Sequence, residues 1–173
     1  YFGFREVARM RKNDQLTDAQ FESERTETTL AIQSMLFGDG AVALLLGTDQ
    51  DGKPFRFAAA RGKLILVTFI FTTCPDVCPL LSANFATIQR ALEEKKVKDY
   101  LLLSITTDPE RDTAPVLKDY AGRFKADLRH WSFLTGTRSE LAKVWQDFGV
   151  HVVKNESGQV QHTTFTTLVD RQG

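Results

Sequence analysis

The chain has 173 residues, of which 42% are hydrophobic and 25% charged, as in ordinary folded globular proteins. Lysine plus arginine and aspartate plus glutamate each number 22, so the chain lacks the basic excess that is typical of nucleic-acid-binding domains. Two cysteines are too few for a small disulfide-stapled fold, and no apolar run reaches the roughly 18 residues of a membrane-spanning helix. The composition therefore predicts one compact domain that binds no nucleic acid.

Residues 1–40 are predicted to form a helical N-terminal extension. Aromatic and basic residues are mixed over 1–12, a pattern typical of the exit from a membrane anchor and also of an amphipathic surface helix. Residues 13–37 are predicted to be helical because Thr17 and Gln20 have capping-box spacing. The anchor interpretation would give this extension a juxtamembrane position.

Residues 41–173 follow the pattern of an α/β domain. After a hairpin over 41–57, the predicted order is strand 64–71, helix 75–96, strand 100–106, helix 114–124, strand 131–134, a helix opened by the capping box of Thr137 and Glu140, and strands 150–153 and 164–169. Alternating strands and helices predict a mainly parallel central sheet flanked by helices. The turn-like final residues 170–173 suggest that the domain continues further.

Both cysteines lie in the segment Thr73-Cys74-Pro75-Asp76-Val77-Cys78-Pro79, directly after the strand predicted to be most buried. Ligands bind at this edge of open α/β sheets. We expect Pro75 at the first helical position, where its missing N–H costs nothing. Cys74 would then lie at a helix N-terminus, which favours the thiolate.

The spacing of Cys74 and Cys78 leaves two uses open. On an ideal helix their Cβ atoms would lie about 5–6 Å apart, whereas a disulfide needs about 3.5–4.5 Å. Two thiolates that bind one soft metal ion tolerate the wider separation more easily. The spacing therefore favours a metal, but a loop just before the helix could still close a disulfide.

A metal site built on two thiolates needs further donors, and the chain offers three histidines. Structural zinc takes four ligands, whereas Cu(I) is satisfied by soft sulfur and imidazole donors. His130 and His151 are interpreted as packing or surface residues. His162 is the candidate ligand because it lies in a predicted loop that opens the last strand.

With these residues in place, the chain resembles the SCO/SenC family of copper-binding, thioredoxin-like proteins. The resemblance rests on the cysteine segment, on Thr107-Asp108-Pro109-Glu110-Arg111-Asp112-Thr113, and on His162 before a strand. It implies a thioredoxin-like fold with an N-terminal hairpin, and copper, as Cu(I) or Cu(II), held by Cys74, Cys78 and His162.

The resemblance also implies a function, a location and partners. The expected role is that of a non-enzymatic copper metallochaperone for cytochrome c oxidase assembly. The alternative is a thiol–disulfide oxidoreductase in which Cys74 attacks and Cys78 resolves. The expected partners are a copper-accepting oxidase subunit and either another copper chaperone or a thiol reductase. The expected location is the bacterial periplasm, tethered to the inner membrane, or else the mitochondrial inner membrane facing the intermembrane space.

Three further residues are predicted to support the site. Asp76 and Pro79 belong to the cysteine segment itself, and Asp108 follows the neighbouring central strand. Asp108 has two interpretations, a surface turn or a carboxylate that tunes the thiols or touches a partner. The chain departs from the family pattern at Gln161, where an aspartate usually precedes the ligand histidine.

Overall fold

The structure is a computed structural model, and it describes residues 45–155 and 159–171. The predicted helix over 13–37 lies outside the described residues, as does the start of the predicted hairpin at 41–44. Among the residues that are described, no helix is both long enough and apolar enough to cross a membrane.

Strands and helices alternate through most of the described chain. The strands are β1 (Leu45–Thr48), β2 (Pro54–Arg56), β3 (Leu64–Ile70), β4 (Tyr100–Thr106), β5 (Trp131–Leu134), β6 (Val152–Lys154), β7 (Val160–His162) and β8 (Thr166–Val169). The helices are α1 (Val77–Glu94), α2 (Ala114–Arg123) and α3 (Arg138–Asp147), with a short 3-10 helix at Phe57–Ala60.

A four-stranded sheet in the order β5-β4-β3-β8 forms the centre of the domain. Strand β3 is parallel to β4 and β4 to β5, while β8 runs antiparallel to β3. Every residue of β4 is buried, which explains its continuous apolar sequence. The prediction of a mainly parallel sheet is confirmed, with one antiparallel edge strand.

Helices cover both faces of this sheet. On one face, Ile65, Val67 and Phe69 of β3 pack in a cluster that includes the buried side chains of α3. On the other face, Leu64 and Ile70 belong to a second cluster that includes side chains of α1 and α2. Because successive residues of a strand point to opposite faces, the single strand β3 contributes to both cores.

The predicted capping box at the start of α3 is present. The backbone N–H of Glu140 donates to the Thr137 hydroxyl at 3.3 Å, and the Glu140 carboxylate accepts the N–H of Thr137 at 2.8 Å. These two bonds satisfy donors that a helix start otherwise leaves free. At the C-terminal end of α3, Val150 was predicted to begin a strand, and this prediction is wrong. The Val150 N–H instead donates to the Trp145 carbonyl at 2.7 Å and so belongs to the end of the helix.

Strands β6 and β7 form a separate two-stranded antiparallel hairpin, in which Val152 pairs with His162 and Lys154 with Val160. The prediction of a loop up to His162 is therefore wrong. A strand of three residues shows a single alternation, with Val160 buried and Gln161 exposed, which is too short to recognise in a sequence.

Candidate metal centre

The two cysteines lie on either side of the start of α1, Cys74 in the loop that follows β3 and Cys78 in the helix itself. The N–H of Cys74 donates to the Phe71 carbonyl at 3.1 Å and closes a turn before the helix. Helix α1 starts at Val77, so the prediction that Pro75 is its first residue is wrong. A helix starting at Pro75 would need the N–H that Pro79 lacks, whereas a start at Val77 places Pro79 in the first turn, where no donor is required.

The two thiols consequently occupy different environments. Cys74 lies in the loop and is half-buried, whereas Cys78 lies in the first turn of α1 and is fully buried. Both cysteines are free thiols. Cys74 is therefore the sulfur that solvent and partners can reach, and Cys78 is the inner one.

His162, the last residue of β7, reaches the inner thiol. Its Nε2 lies 4.0 Å from Cys78 Sγ, and its Nδ1 lies 2.9 Å from the backbone carbonyl of Thr163. Since a carbonyl oxygen can only accept, Nδ1 carries the proton and Nε2 keeps its lone pair. The ring of Phe71 packs edge-on against the imidazole, with the centroids 5.7 Å apart.

Burial keeps both the Cys78 thiol and the His162 imidazole neutral. It raises the pKa of Cys78 to about 12, an effect to which the neighbouring Cys74 thiol and the Asp112 carboxylate add and which a backbone hydrogen bond at Phe71 opposes. Burial also lowers the pKa of His162 below its usual value, against the hydrogen bond to Thr163. Near neutral pH, the pair is a protonated thiol beside a neutral imidazole.

Two sulfurs and one imidazole nitrogen are the candidate donors of this site. The Cys74 thiol is near enough to add to the raised pKa of Cys78, and His162 lies beside Cys78. Within residues 45–155 and 159–171, no three acidic, cysteine or histidine side chains are close enough together to enclose a metal ion. The donor set itself fits a soft ion, because thiolate and imidazole are the ligands that such ions prefer.

Asp112 is the residue that the sequence analysis missed. It is fully buried and accepts hydrogen bonds from the Thr72 N–H at 3.1 Å, from the Thr72 hydroxyl, and from the Thr106 hydroxyl at 2.6 Å. Thr72 belongs to the cysteine loop and Thr106 ends β4, so this carboxylate ties the loop to the sheet. The available signal was a second aspartate in the segment 107–113, of which only Asp108 was predicted to support the site.

The three residues that were predicted to support the site lie in three different surroundings. Asp108 is buried with its Oδ2 3.1 Å from Arg111 and its Oδ1 3.7 Å from the Lys154 ammonium, so it faces the β6–β7 hairpin. The turn expected at Asp108 is present, since the Arg111 N–H donates to the Asp108 carbonyl at 3.1 Å, but its expected surface position is wrong. Asp76 is the exposed N-cap residue of α1, and its side chain makes no capping hydrogen bond. Pro79 is half-buried in the first turn of that helix.

The chain is similar to a known protein family over most of its length. The family model described as SCO1/SenC matches residues 46–173. The chain belongs to the SCO1/SenC family. A SCO2-like protein of Rickettsia prowazekii is 35% identical over an alignment of 133 positions, and the match covers 72% of this chain and 62% of that relative. The SCO1/SenC chain described here thus spans less than two thirds of the length of that curated relative.

Solved SCO1/SenC structures share the fold. A SCO1/SenC family lipoprotein from Bacillus anthracis has a TM-score of 0.68 at 37% identity, covering 73% of this chain and 76% of its own. ScoI of Bradyrhizobium japonicum, solved with copper bound, has a TM-score of 0.65 at 34% identity, covering 73% and 80%. The predicted thioredoxin-like fold of this SCO1/SenC protein is confirmed.

Proposed function

We propose that this SCO1/SenC domain binds one copper ion through Cys74, Cys78 and His162 and delivers it during cytochrome c oxidase assembly. The observation that carries the proposal is the neutral imidazole, whose Nε2 lies 4.0 Å from Cys78 Sγ. Family membership supports the role, because Sco proteins act in the assembly of this oxidase. The related ScoI of Bradyrhizobium japonicum has been solved with copper bound.

The protonation states of the site fit reversible metal binding. Copper binding displaces the proton of Cys78, whose pKa is raised to about 12, so binding becomes tighter as the pH rises. His162 needs no deprotonation because its proton is on Nδ1 and its Nε2 carries none. Thiolates and one imidazole hold a soft ion firmly and also permit ligand-by-ligand exchange onto the thiolates of an acceptor.

The accessible Cys74 suggests where an acceptor approaches. It is half-buried, while Cys78 lies behind it in the core, so an incoming ligand reaches the ion from the Cys74 side. The proposed acceptor is the copper-binding subunit of the oxidase, with another copper chaperone or a thiol reductase acting upstream. The proposed location is a membrane-tethered position outside the cytosol, in the periplasm or the intermembrane space.

A thiol–disulfide oxidoreductase is the second candidate, favoured by two free thiols that are four residues apart and that interact electrostatically. In that reaction, the Cys74 thiolate attacks a partner disulfide and Cys78 then displaces the partner thiol. The products are a Cys74–Cys78 disulfide and two partner thiols, so two electrons and two protons pass to the partner. His162 separates the two candidates, since this exchange requires no third ligand.

Copper titration of the reduced protein tests the proposal. The wild type is expected to bind one equivalent, and Cys74→Ser and Cys78→Ser are each expected to lose that binding. His162→Ala should weaken binding at least about tenfold, or about 1.4 kcal/mol. The matched control is His151→Ala, which removes an exposed imidazole just before β6 and should bind as the wild type does.

Two results would contradict metal delivery. Unchanged copper binding in both cysteine variants would remove the thiolates from the site. Unchanged binding in His162→Ala, combined with full reduction of a disulfide substrate by that variant, would favour the oxidoreductase instead.

A further inference from the structure

The β6–β7 hairpin needs an attachment to hold His162 near the thiols. It is a separate two-stranded ribbon with three residues in each strand, and it is not part of the four-stranded sheet. Such a ribbon is not stable on its own in water. The position of His162 therefore depends on the contacts that fix this hairpin to the rest of the domain.

Lys154, at the end of β6, makes one such attachment. Its ammonium lies 3.7 Å from Asp108 Oδ1 and forms an ion pair with Glu110 Oε2. The Lys154 side chain is 26% exposed and that of Asp108 only 1%. We call these two ion pairs the Lys154 bridge.

The bridge supplies a charge that Asp108 requires. Oδ2 of Asp108 is paired with Arg111, but its buried Oδ1 accepts no hydrogen bond from the described residues. A buried carboxylate oxygen without a partner is costly unless an opposite charge lies nearby. The Lys154 ammonium is that charge, so the hairpin and the loop after β4 stabilise each other.

The same loop is also connected to the cysteines. Asp112, four residues after Asp108, accepts the N–H and hydroxyl of Thr72 in the cysteine loop. A continuous set of contacts thus runs from the cysteine loop through residues 108–112 to Lys154. The hairpin and the thiols are attached to one short segment of chain.

The register of the hairpin decides on which of its faces Lys154 lies. Val152 pairs with His162 across the two strands, and Lys154 lies two residues further along the strand of Val152. Residues two apart in a strand share a face, and paired residues share it too. Lys154 and His162 therefore lie on the same face of the hairpin.

We propose that Lys154 is a positioning residue, whose bridge to Asp108 and Glu110 holds the β6–β7 hairpin where the His162 imidazole meets the cysteine thiols. This rests on the proposed function in one respect, that His162 is a copper ligand. Lys154 itself touches neither the ion nor the thiols in this scheme.

Three variants test the bridge. Lys154→Met keeps the length and apolar stem of the side chain but removes the charge, and Lys154→Arg restores the charge. Lys143→Met is the matched control, since it breaks an exposed ion pair with Asp147 on α3, at 3.2 Å, without touching the hairpin. Each variant is measured in two forms, metal-free and loaded with Cu(II) alone.

In the metal-free protein, hydrogen exchange of the β6 and β7 amides should be faster in Lys154→Met than in the wild type. In the Cu(II) form, Lys154→Met should still bind one ion, with an affinity about 10–100-fold lower, as for residues that orient metal ligands. The imidazole nitrogen coupling in its electron paramagnetic resonance spectrum should weaken. Lys154→Arg should recover most of each signal, and Lys143→Met should match the wild type.

Wild-type exchange rates, affinity and nitrogen coupling in Lys154→Met would overturn the inference. If that variant does not fold, Glu110→Gln is measured instead, because it removes the exposed partner of the bridge. Faster hydrogen exchange in the hairpin of Glu110→Gln supports the bridge, and wild-type exchange overturns it. His162→Ala separates the two proposals. Wild-type copper binding in His162→Ala would refute the ligand role alone, because the metal-free exchange test of the bridge remains valid.

Discussion

The cysteine segment and the β6–β7 hairpin carry the candidate ligands but are supported very differently. The loop connects two core elements, and Cys78 lies fully buried in the second hydrophobic cluster. The hairpin lies beside the sheet, and its side chains at Val153 and Gln161 are exposed. The thiols therefore lie within the second core cluster, whereas the imidazole is held through a short ribbon that contacts the core at Val152 and Val160.

This difference bears on the proposed delivery of copper, which requires that the metal be released. Regions that move in binding and exchange come from the less stable part of a structure. Under the proposed function, the imidazole is the ligand that would move away first and leave the ion on two thiolates for an incoming acceptor. Three predictions, from the largest expected effect to the smallest, test this contrast between the core and the hairpin.

The largest effect is expected in the core. Ile65→Ala, in a strand where this side chain is fully buried, should lower the free energy of unfolding by about 2–5 kcal/mol because it leaves a cavity. Val153→Ala is the counterpart on the hairpin, where the side chain is 61% exposed, and should change it by less than about 0.5 kcal/mol. Urea unfolding measures both. Equal losses would mean that the hairpin is as much a part of the core as β3.

An intermediate effect is expected where the cysteine loop is fixed to the sheet. Asp112→Ala removes the acceptor of Thr72 and Thr106 and should cost about 1–3 kcal/mol, since buried donors lose their partner. Asp119→Ala removes an exposed carboxylate of α2 and serves as the control. If the two variants unfold at the same urea concentration, Asp112 does not secure the loop.

The smallest effect is the pH dependence at His162, whose pKa burial lowers below the ordinary value of 6.5. As the pH falls below 6.5, the unfolded chain takes up this proton before the folded protein does, so stability is lost until the pH passes the folded pKa. Wild-type stability should therefore decline more steeply below pH 6.5 than that of His162→Gln. Urea midpoints across this range measure the slope, with His151→Gln as the control. Parallel slopes for wild type and His162→Gln would show that the imidazole is not buried in solution.

Much of the fold could be predicted because its signals are local. The apolar runs at 64–70 and 100–106 mark strands buried on both faces, and the spacing of Thr137 and Glu140 marks the start of a helix. The start of α1 was predicted two residues too early, because Pro75 satisfies the rule for a first helical residue. The missing N–H of Pro79 overrides that rule.

The sequence by itself determined the α/β class, the family, and the three residue types that can form a soft-metal site. Those properties follow from periodicity, spacing and side-chain chemistry, which are present in the linear chain. Only the tertiary structure decided that Nε2 of His162 faces Cys78, that Asp112 fixes the cysteine loop and that Asp108 faces Lys154. These contacts join residues from different elements, so they depend on how the strands pair and the helices pack, which no local pattern specifies.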